Sequence, residues 1–175
     1  MSQLKPGVQD GDHTKGPDDA SITLVEYGDY ECPHCGIAHP LIQRLLKEFD
    51  GDIRFVFRNF PLRESHPHAF MAALAAEAAD KQNKFWEMHD IIYEHQRGLS
   101  ENSLKDFAKK LDLDLAAFDR DWQGNAVVEK VENDFDSGVR SGVNGTPGFF
   151  LNGKPLKGYD ETYDSLREAV QAVIA

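Results

Sequence analysis

The chain has 175 residues, of which 41% are hydrophobic and 28% are charged, a composition that is neither that of a disordered chain nor that of a membrane protein. Its length fits one domain, or one domain interrupted by an insertion. A net charge of −11 argues against nucleic acid or an anionic membrane as the partner, because either would require a basic face. No segment approaches the ~20 apolar residues of a membrane span, so none is expected.

The first 20 residues show no hydrophobic periodicity and are rich in Gly, Asp, Lys and Pro. We expect an extended or mobile arm, with a short edge strand near its end. His13 lies in this arm, where a lone histidine is expected to be solvated. No apolar segment typical of a signal peptide is visible, so a cytoplasmic location is predicted, or a periplasmic one if a leader has been removed.

A βαβ unit is predicted after the arm. Residues 22–27 are almost continuously apolar, which favours a strand that is covered on both faces. Apolar residues recur at four-residue steps over 33–49 and predict a helix. Residues 53–60 alternate and predict a second strand, which ends at Pro61. Because the connections are short, the two strands should be parallel.

Residues 62–141 carry helical patterns and no strand alternation. Helices are predicted over 67–80, from 85 onward, over 104–111, from 115 onward and over 127–139. Ser100 and Asp114 are expected to cap the third and the fourth of them. This segment is therefore expected to be a helical insertion with its own small core.

The last part of the chain is predicted to return to the sheet. Residues 147–151 predict a third strand, Asn152-Gly153 is typical of a two-residue hairpin turn, and residues 155–157 begin the returning strand. A last helix presents an apolar face formed by Leu166, Val170 and Val173. The order of elements is thus βαβ, helical insertion, ββα.

The only two cysteines form a Cys-Pro-His-Cys motif between the first predicted strand and the first helix. A disulfide between Cys32 and Cys35 would close too short a loop to stabilise a fold much. Cys32 opens the helix and is expected to face solvent, where the free N–H groups of the first turn stabilise a thiolate. Cys35 lies one turn inside, within bonding range, and Pro33 suits the first turn because its missing N–H is not needed there. The preferred interpretation is a redox pair.

Three features together give the sequence a family resemblance. Glu26 stands six residues before Cys32, the Cys-Pro-His-Cys motif follows, and Gly145-Thr146-Pro147 comes before Phe149-Phe150-Leu151-Asn152-Gly153. From about Ser21 to its C-terminus the chain resembles DsbA-like thiol–disulfide oxidoreductases of the thioredoxin superfamily. The resemblance implies an α/β, thioredoxin-like fold with an inserted all-helical domain. The chain is accordingly predicted to consist of an N-terminal arm over 1–20, a thioredoxin-like domain over 21–61 and 142–175, and the helical insertion over 62–141.

The remaining candidate residues each have a functional and a simpler interpretation. His34 can hydrogen-bond the Cys32 thiolate, which would make the disulfide a stronger oxidant, or it is an exposed residue without redox effect. In the resembling family an acid at the place of Glu26 moves a proton to or from the buried thiol; otherwise its carboxylate reaches solvent at the strand end. The resemblance also implies a cis bond at Pro147, although trans is the commoner form, and a substrate-pairing role for Thr146.

The predicted function is thiol–disulfide exchange with protein or peptide substrates, with an unidentified redox recycling partner and without a bound cofactor. Open alternatives are a cytoplasmic disulfide reductase or peroxide-linked thiol enzyme, a zinc-binding domain, and a thioredoxin-fold module that binds peptides without turnover. No metal site is predicted, because zinc requires about four ligands and the motif supplies two thiolates. A surface or packing role is expected for His39, and no chemistry is assigned to the histidines of the insertion, which are His66, His68, His89 and His95.

Overall fold

The computed structural model describes residues 3–174; residues 1, 2 and 175, at the ends of the predicted arm and of the predicted C-terminal segment, lie outside the described residues. The strands in that range are β1 (His13–Lys15), β2 (Ile22–Gly28), β3 (Ile53–Asn59), β4 (Gly148–Leu151) and β5 (Lys154–Pro155). The helices are α1 (Pro33–Glu48), α2 (Ala69–Asp80), α3 (Phe85–Glu94), α4 (Glu101–Lys110), α5 (Leu115–Trp122), α6 (Asn125–Arg140) and α7 (Tyr163–Ile174).

The five strands form one sheet in the order β1-β3-β2-β4-β5. Strands β2 and β3 are parallel, so the predicted βαβ unit is confirmed, and the other neighbours are antiparallel. Strand β2 lies at the centre, and all of its residues except Thr23 are buried. The loop that follows β2 therefore leaves from the middle of the sheet and places α1 at its C-terminal edge.

Both faces of the sheet are covered. Leu24 and Phe57 point into the larger core, which α1, α3 and α7 share. Val25, Tyr27 and Val56 point to the other face, where Phe135 of α6 packs. Helices α2 to α6 form the predicted insertion between β3 and β4, and the Ser100 cap is a complete capping box at the start of α4. The fold is thus the expected α/β, thioredoxin-like fold with a helical insertion.

The N-terminal arm is packed against the sheet. Strand β1 pairs with β3, so the expected edge strand is confirmed. The expectation that His13 is solvated is wrong, because this residue is 7% exposed, its Nε2 lies 2.8 Å from Glu77 Oε2, and its ring stacks on Phe85. These partners stand 64 and 72 residues further along the chain, beyond the reach of a local pattern.

Candidate active site

The Cys-Pro-His-Cys motif lies where β2 gives way to α1. Cys32 is the N-cap residue, with extended backbone angles (φ −70°, ψ 121°), and Pro33 occupies the first helical turn. The carbonyl of Cys32 accepts the first helical hydrogen bond from the N–H of Gly36, at 3.1 Å. Both cysteines are free thiols in this structure. The motif thus has the strand-to-helix geometry that its spacing predicts.

Cys32 is more covered than its position at the helix start suggests. The residue is 4% exposed, so the expectation that it faces solvent is wrong. The cause is the loop before β4, since the Cys32 sulfur lies 3.6 Å from the carbonyl oxygen of Thr146. A residue more than a hundred positions away in the sequence therefore controls access to this sulfur.

The two thiols have opposite acidities. A hydrogen bond from the Cys35 thiol lowers the pKa of Cys32 to about 5 despite burial, and the Thr146 side chain and the backbone N–H groups of Cys35 and His34 contribute in the same direction. Burial is the main reason why the pKa of Cys35 is raised well above its ordinary value. Cys35 is 0% exposed and its sulfur accepts the N–H of Asp29 at 3.5 Å. At neutral pH one sulfur is an anion and the other keeps its proton.

The His34 ring is exposed at the start of α1 and has an acid as its partner. Its side chain is 63% exposed, and among the described residues its Nδ1 pairs with Glu161, which is the main reason why the pKa of His34 is raised. The negative charge of Cys32 raises that pKa further. What His34 gives Cys32 directly in this structure is its backbone N–H.

Glu26 is buried in the centre of the sheet, on the face that carries Cys35. It is 2% exposed, so the simpler interpretation, a carboxylate that reaches solvent, is wrong. Burial, and secondarily the negative charge of Cys32, raise the pKa of Glu26 to about 8. The carboxyl oxygen Oε2 has no hydrogen-bond partner within residues 3–174. A carboxyl group in these surroundings can hold or release a proton near neutral pH.

The loop before β4 carries the other candidate pair. The peptide bond between Thr146 and Pro147 is cis, and both residues are partly exposed. Thr146 Oγ1 is buried and has no hydrogen-bond partner in the described part of the chain, where Cys32 is a neutral thiol. Once Cys32 is ionised, the Thr146 side chain stabilises its anion. The structure thus brings together Cys32, Cys35 and the Thr146 loop, and Glu26 is close enough for its charge to raise the pKa of Cys35.

Asp29, to which sequence analysis gave no role, organises the loop before Cys32. One carboxylate oxygen accepts the N–H groups of Glu31 (2.7 Å) and Cys32 (3.1 Å). The other accepts the N–H of Leu62 (2.9 Å) and lies 2.8 Å from Nδ1 of His66. The side chain is 0% exposed. An acid directly after an apolar strand was the available signal.

Gln96, in the short 3₁₀ turn after α3, is a second residue that sequence analysis missed. Its side-chain amide donates to the carbonyl oxygens of Cys32 (2.6 Å) and Tyr30 (3.1 Å). Gly36 makes room for it, because a Cβ there would lie 2.3 Å from Gln96 Oε1. Nothing in the local sequence marks this glutamine, since its partners stand some 65 residues earlier.

Within residues 3–174, neither cysteine belongs to a group of three or more side chains close enough to share an ion. The groups of acidic, histidine and cysteine side chains that are close enough to share an ion there are His39, His89 and Asp90, and His13, Glu77 and Asp80. A zinc site at the Cys-Pro-His-Cys motif would need ligands besides its two thiolates.

The sheet and the cysteine pair together define the thioredoxin class of redox proteins. A family model described as Thioredoxin matches residues 9–172, and the chain belongs to this family. Its structural neighbours are DsbA-like thiol–disulfide oxidoreductases of the thioredoxin superfamily.

Solved structures agree with this placement. BdbD from Bacillus subtilis is 28% identical, with a TM-score of 0.81 over 93% of this chain and 92% of that one. A thioredoxin-like oxidoreductase from Silicibacter pomeroyi DSS-3 is 26% identical, with a TM-score of 0.80 over 95% and 94%. The thiol-disulfide exchange protein alpha-DsbA2 from Wolbachia pipientis shares the fold at 24% identity, with a TM-score of 0.79 over 93% and 87%.

Curated relatives are much longer proteins. The Na(+)/H(+) antiporter NhaA 1 of Salinispora arenicola is 43% identical over 172 residues, which are 98% of this chain and 26% of that protein. The antiporter NhaA of Herminiimonas arsenicoxydans is 43% identical over 159 residues, 90% of this chain and 25% of that protein. The chain thus spans about a quarter of the length of these relatives. Within residues 3–174, none of the helices combines the length and the apolar character that crossing a bilayer requires.

Proposed function

We propose that the protein is a DsbA-like thiol–disulfide oxidoreductase that exchanges disulfides with protein or peptide thiols through Cys32 and Cys35. One observation carries the proposal, namely that adjacent thiols have opposite acidities, with the Cys32 sulfur 3.6 Å from the Thr146 carbonyl. The similarity to BdbD and to a thioredoxin-like oxidoreductase supports the same chemistry.

In the oxidising direction a substrate thiolate attacks the Cys32 sulfur of the Cys32–Cys35 disulfide. Cys35 leaves and takes a proton from Glu26, and a mixed disulfide between Cys32 and the substrate remains. A second substrate thiolate then displaces Cys32, which leaves as a thiolate. In the reducing direction the same steps run backwards, with Cys32 as the nucleophile and Cys35 as the resolving thiol.

The other residues have supporting roles in this proposal. Pro33 and the backbone N–H of His34 belong to the first turn of α1, which stabilises the Cys32 anion. Thr146 offers its backbone to an extended substrate, in the way that an added strand pairs with a sheet edge, and Pro147 shapes that loop. Glu26 exchanges a proton with Cys35, whose raised pKa Glu26 helps to cause.

The low pKa of Cys32 favours oxidation of substrates, because it makes this thiolate a better leaving group than nucleophile. The alternative is a cytoplasmic reductase or peroxide-linked thiol enzyme that uses the same residues in reverse. Equilibration of the cysteine pair with glutathione separates the two, since an oxidant holds a less stable disulfide. The cytoplasmic location stays a prediction, which cell fractionation would test.

Disulfide exchange with a model dithiol peptide tests the proposal. We expect Cys32→Ser to abolish exchange, and Cys35→Ser to accumulate a covalent mixed disulfide on Cys32, visible by mass spectrometry under non-reducing conditions. Undiminished exchange by Cys32→Ser would refute the assignment. A protein that only binds peptides would form no covalent species with either variant, and a zinc domain would retain metal after anaerobic purification.

A further inference from the structure

A narrow cavity leads from Glu26 towards the surface beside β1. Its volume of roughly 10 Å³ is about the space that one water molecule needs. Glu26 lies at its buried part, whereas Lys15, Gln43 and Asp90 are at least partly exposed. The remaining lining residues are Ile42, Leu46, Phe55, Trp86, His39 and His89. The exchange chemistry proposed above uses only one of these residues, Glu26.

Two polar atoms in the cavity lack partners. Glu26 Oε2 and His39 Nε2 are both buried without a hydrogen bond within residues 3–174, an arrangement that costs free energy unless a water molecule pairs with them. Both residues line the same cavity. His39 Nε2 also lies 3.5 Å from Asp90 Oδ1, and the Asp90 side chain is 30% exposed. Glu26, His39 and Asp90 thus line one cavity, which extends from a buried carboxyl to partly exposed side chains and offers a route for a proton.

The charges around this route suit a proton better than a metal cation. Burial, and secondarily the charge of Lys15, lower the pKa of His39 to about 4, so its ring is neutral at pH 7 and carries a proton only transiently. His89 is engaged with the Tyr30 hydroxyl through Nδ1, at 2.8 Å. The titratable groups that line the route are Lys15 from β1, Glu26 from β2, His39 from α1, and His89 and Asp90 from α3. The Tyr93 ring stacks on His39, and Cys35 interacts with Glu26 from outside the cavity lining. The Lys15 ammonium would repel a metal ion there.

We propose that His39, assisted by Asp90, passes protons between Glu26 and solvent during thiol–disulfide exchange; the inference rests on the proposed function. In the step that releases a reduced substrate, the Cys35 thiol gives its proton to the Glu26 carboxylate. The Cys35 sulfur then attacks Cys32, and the bond between Cys32 and the substrate breaks. Both electrons of that bond leave with the substrate thiolate.

The proton on Glu26 next moves to His39 Nε2 through the cavity, and from there past Asp90 to bulk water. The opposite reaction uses the same route inwards. Because the cavity opens beside β1, whereas the Thr146 loop adjoins Cys32, this route stays available while a substrate occupies the Thr146 loop.

The test measures the rate at which Cys35 resolves a preformed mixed disulfide with a cysteine peptide, by rapid acid quench and mass spectrometry. Rates are taken across about pH 5 to 9, in water and in deuterium oxide. Glu26→Gln serves as the reference for a lost relay. Gln43→Leu is the matched control, because it changes the lining of the same cavity without removing a titratable group.

General acid–base groups contribute on the order of 10²–10⁴-fold, so we expect His39→Leu to slow resolution at least about tenfold and to change both the pH profile and the solvent isotope effect. Asp90→Asn, at a partly exposed position, should show a smaller change of the same kind. If His39→Leu does not fold, the Asp90→Asn variant alone tests whether protons follow this route. Gln43→Leu should resemble the unaltered protein.

The proposed route would be overturned if His39→Leu and Asp90→Asn both kept the unaltered rate, pH profile and isotope effect while Glu26→Gln was slow. The proposed function would then remain intact. If Glu26→Gln resolved the mixed disulfide at the unaltered rate, both the proton exchange between Glu26 and Cys35 and the route to solvent would be refuted. Persistent exchange by Cys32→Ser would remove the proposed function itself, so the failures are distinguishable.

Discussion

Cys32 and Cys35 are neighbours on one helical turn, yet only Cys32 has an environment that stabilises an anion. A hydrogen bond from Cys35, the Thr146 side chain and two backbone N–H groups act on its sulfur, whereas burial dominates at Cys35. One residue is thus the exchangeable leaving group, and the other requires a base before it can attack. In the proposed mechanism Glu26, whose pKa is raised to about 8, is that base.

Glu26 should reduce the stability of the reduced protein at neutral pH. The pKa of Glu26 is 4.5 when the side chain is exposed and about 8 in the fold. Below about pH 4.5 the carboxyl is protonated in both states and costs the fold nothing; as the pH rises from there through 8, ionisation in the unfolded state lowers the free energy of unfolding. At pH 7 the free energy of unfolding is lower by about 3 kcal/mol, because each pH unit above the exposed pKa lowers it by about 1.4 kcal/mol until the pH reaches the pKa in the fold. Glu26→Gln should therefore raise the free energy of unfolding at pH 7 and have little effect near pH 4.

Urea unfolding of the reduced proteins at both pH values measures this difference. Glu31→Gln is the control, since Glu31 is a partly exposed carboxylate that pairs with His68 near the same loop. Equal stabilisation at the two pH values would show that the gain comes from packing instead of proton uptake. A less active but more stable Glu26→Gln is the usual trade-off at a buried functional group.

The loop between β2 and α1 is held by elements that come much later in the chain. Asp29 ties it to Leu62 and His66, just after β3, and Gln96 holds the carbonyl of Cys32 from the turn after α3. The helical insertion thus does more than cover the sheet, because it fixes the backbone on both sides of Cys32. This arrangement keeps the N–H groups of the first turn aimed at the sulfur.

Replacing Asp29 should loosen this loop. Asp29→Ala removes the acceptor of three backbone N–H groups, those of Glu31, Cys32 and Leu62, and a buried donor without a partner costs ~1–3 kcal/mol. We expect a loss of at least about 2 kcal/mol in urea unfolding and a higher Cys32 pKa in thiolate absorbance. His66→Ala, which removes one of the four interactions, should cost less. If the two variants unfold alike, Asp29 does not organise the loop.

Local patterns were sufficient for the elements and for the cysteine motif. The four-residue repeat of α1, the Asn152-Gly153 turn and the Ser100 cap each depend on residues within a few positions, and all are present. Local patterns could not predict the environment of Cys32, because it depends on Thr146 and Gln96; the family resemblance pointed to Thr146, and nothing pointed to Gln96. The burial of His13 and Asp29 escaped prediction for the same reason. A polar residue looks solvated in a sequence whenever its partner is distant.

The arm contacts two segments from the later part of the chain. The N–H of Leu4 donates to the Gly153 carbonyl (3.0 Å), and the N–H of Lys5 donates to Ser141 Oγ (2.8 Å), so the segment touches both the β4–β5 turn and the end of α6. Leu4 and Val8 pack on the second face of the sheet. The first described residues are therefore part of the fold, and their removal should expose the face that Tyr27 and Phe150 form.

A buried ion pair fixes the arm to the sheet. Arg58 of β3 and Asp12 are 1% and 2% exposed, and two hydrogen bonds of 2.9 Å and 2.8 Å join the guanidinium to the carboxylate. Asp12→Ala would leave a buried guanidinium that cannot lose its proton, so we expect a loss of about 3–5 kcal/mol in urea unfolding. Replacing both partners, as in Asp12→Leu with Arg58→Met, should recover much of that loss because no uncompensated charge remains.

Asp18→Ala is the matched control for this prediction. Asp18 is 89% exposed and lies 3.6 Å from Arg54, so removing it should not measurably change unfolding. Should Asp12→Ala unfold like Asp18→Ala, the arm would be an attachment to the fold and not part of it. Limited proteolysis gives an independent reading, because a released arm would be cut before the sheet unfolds. Only a cooperative loss, in which cutting and unfolding coincide, fits an arm that folds together with the redox site.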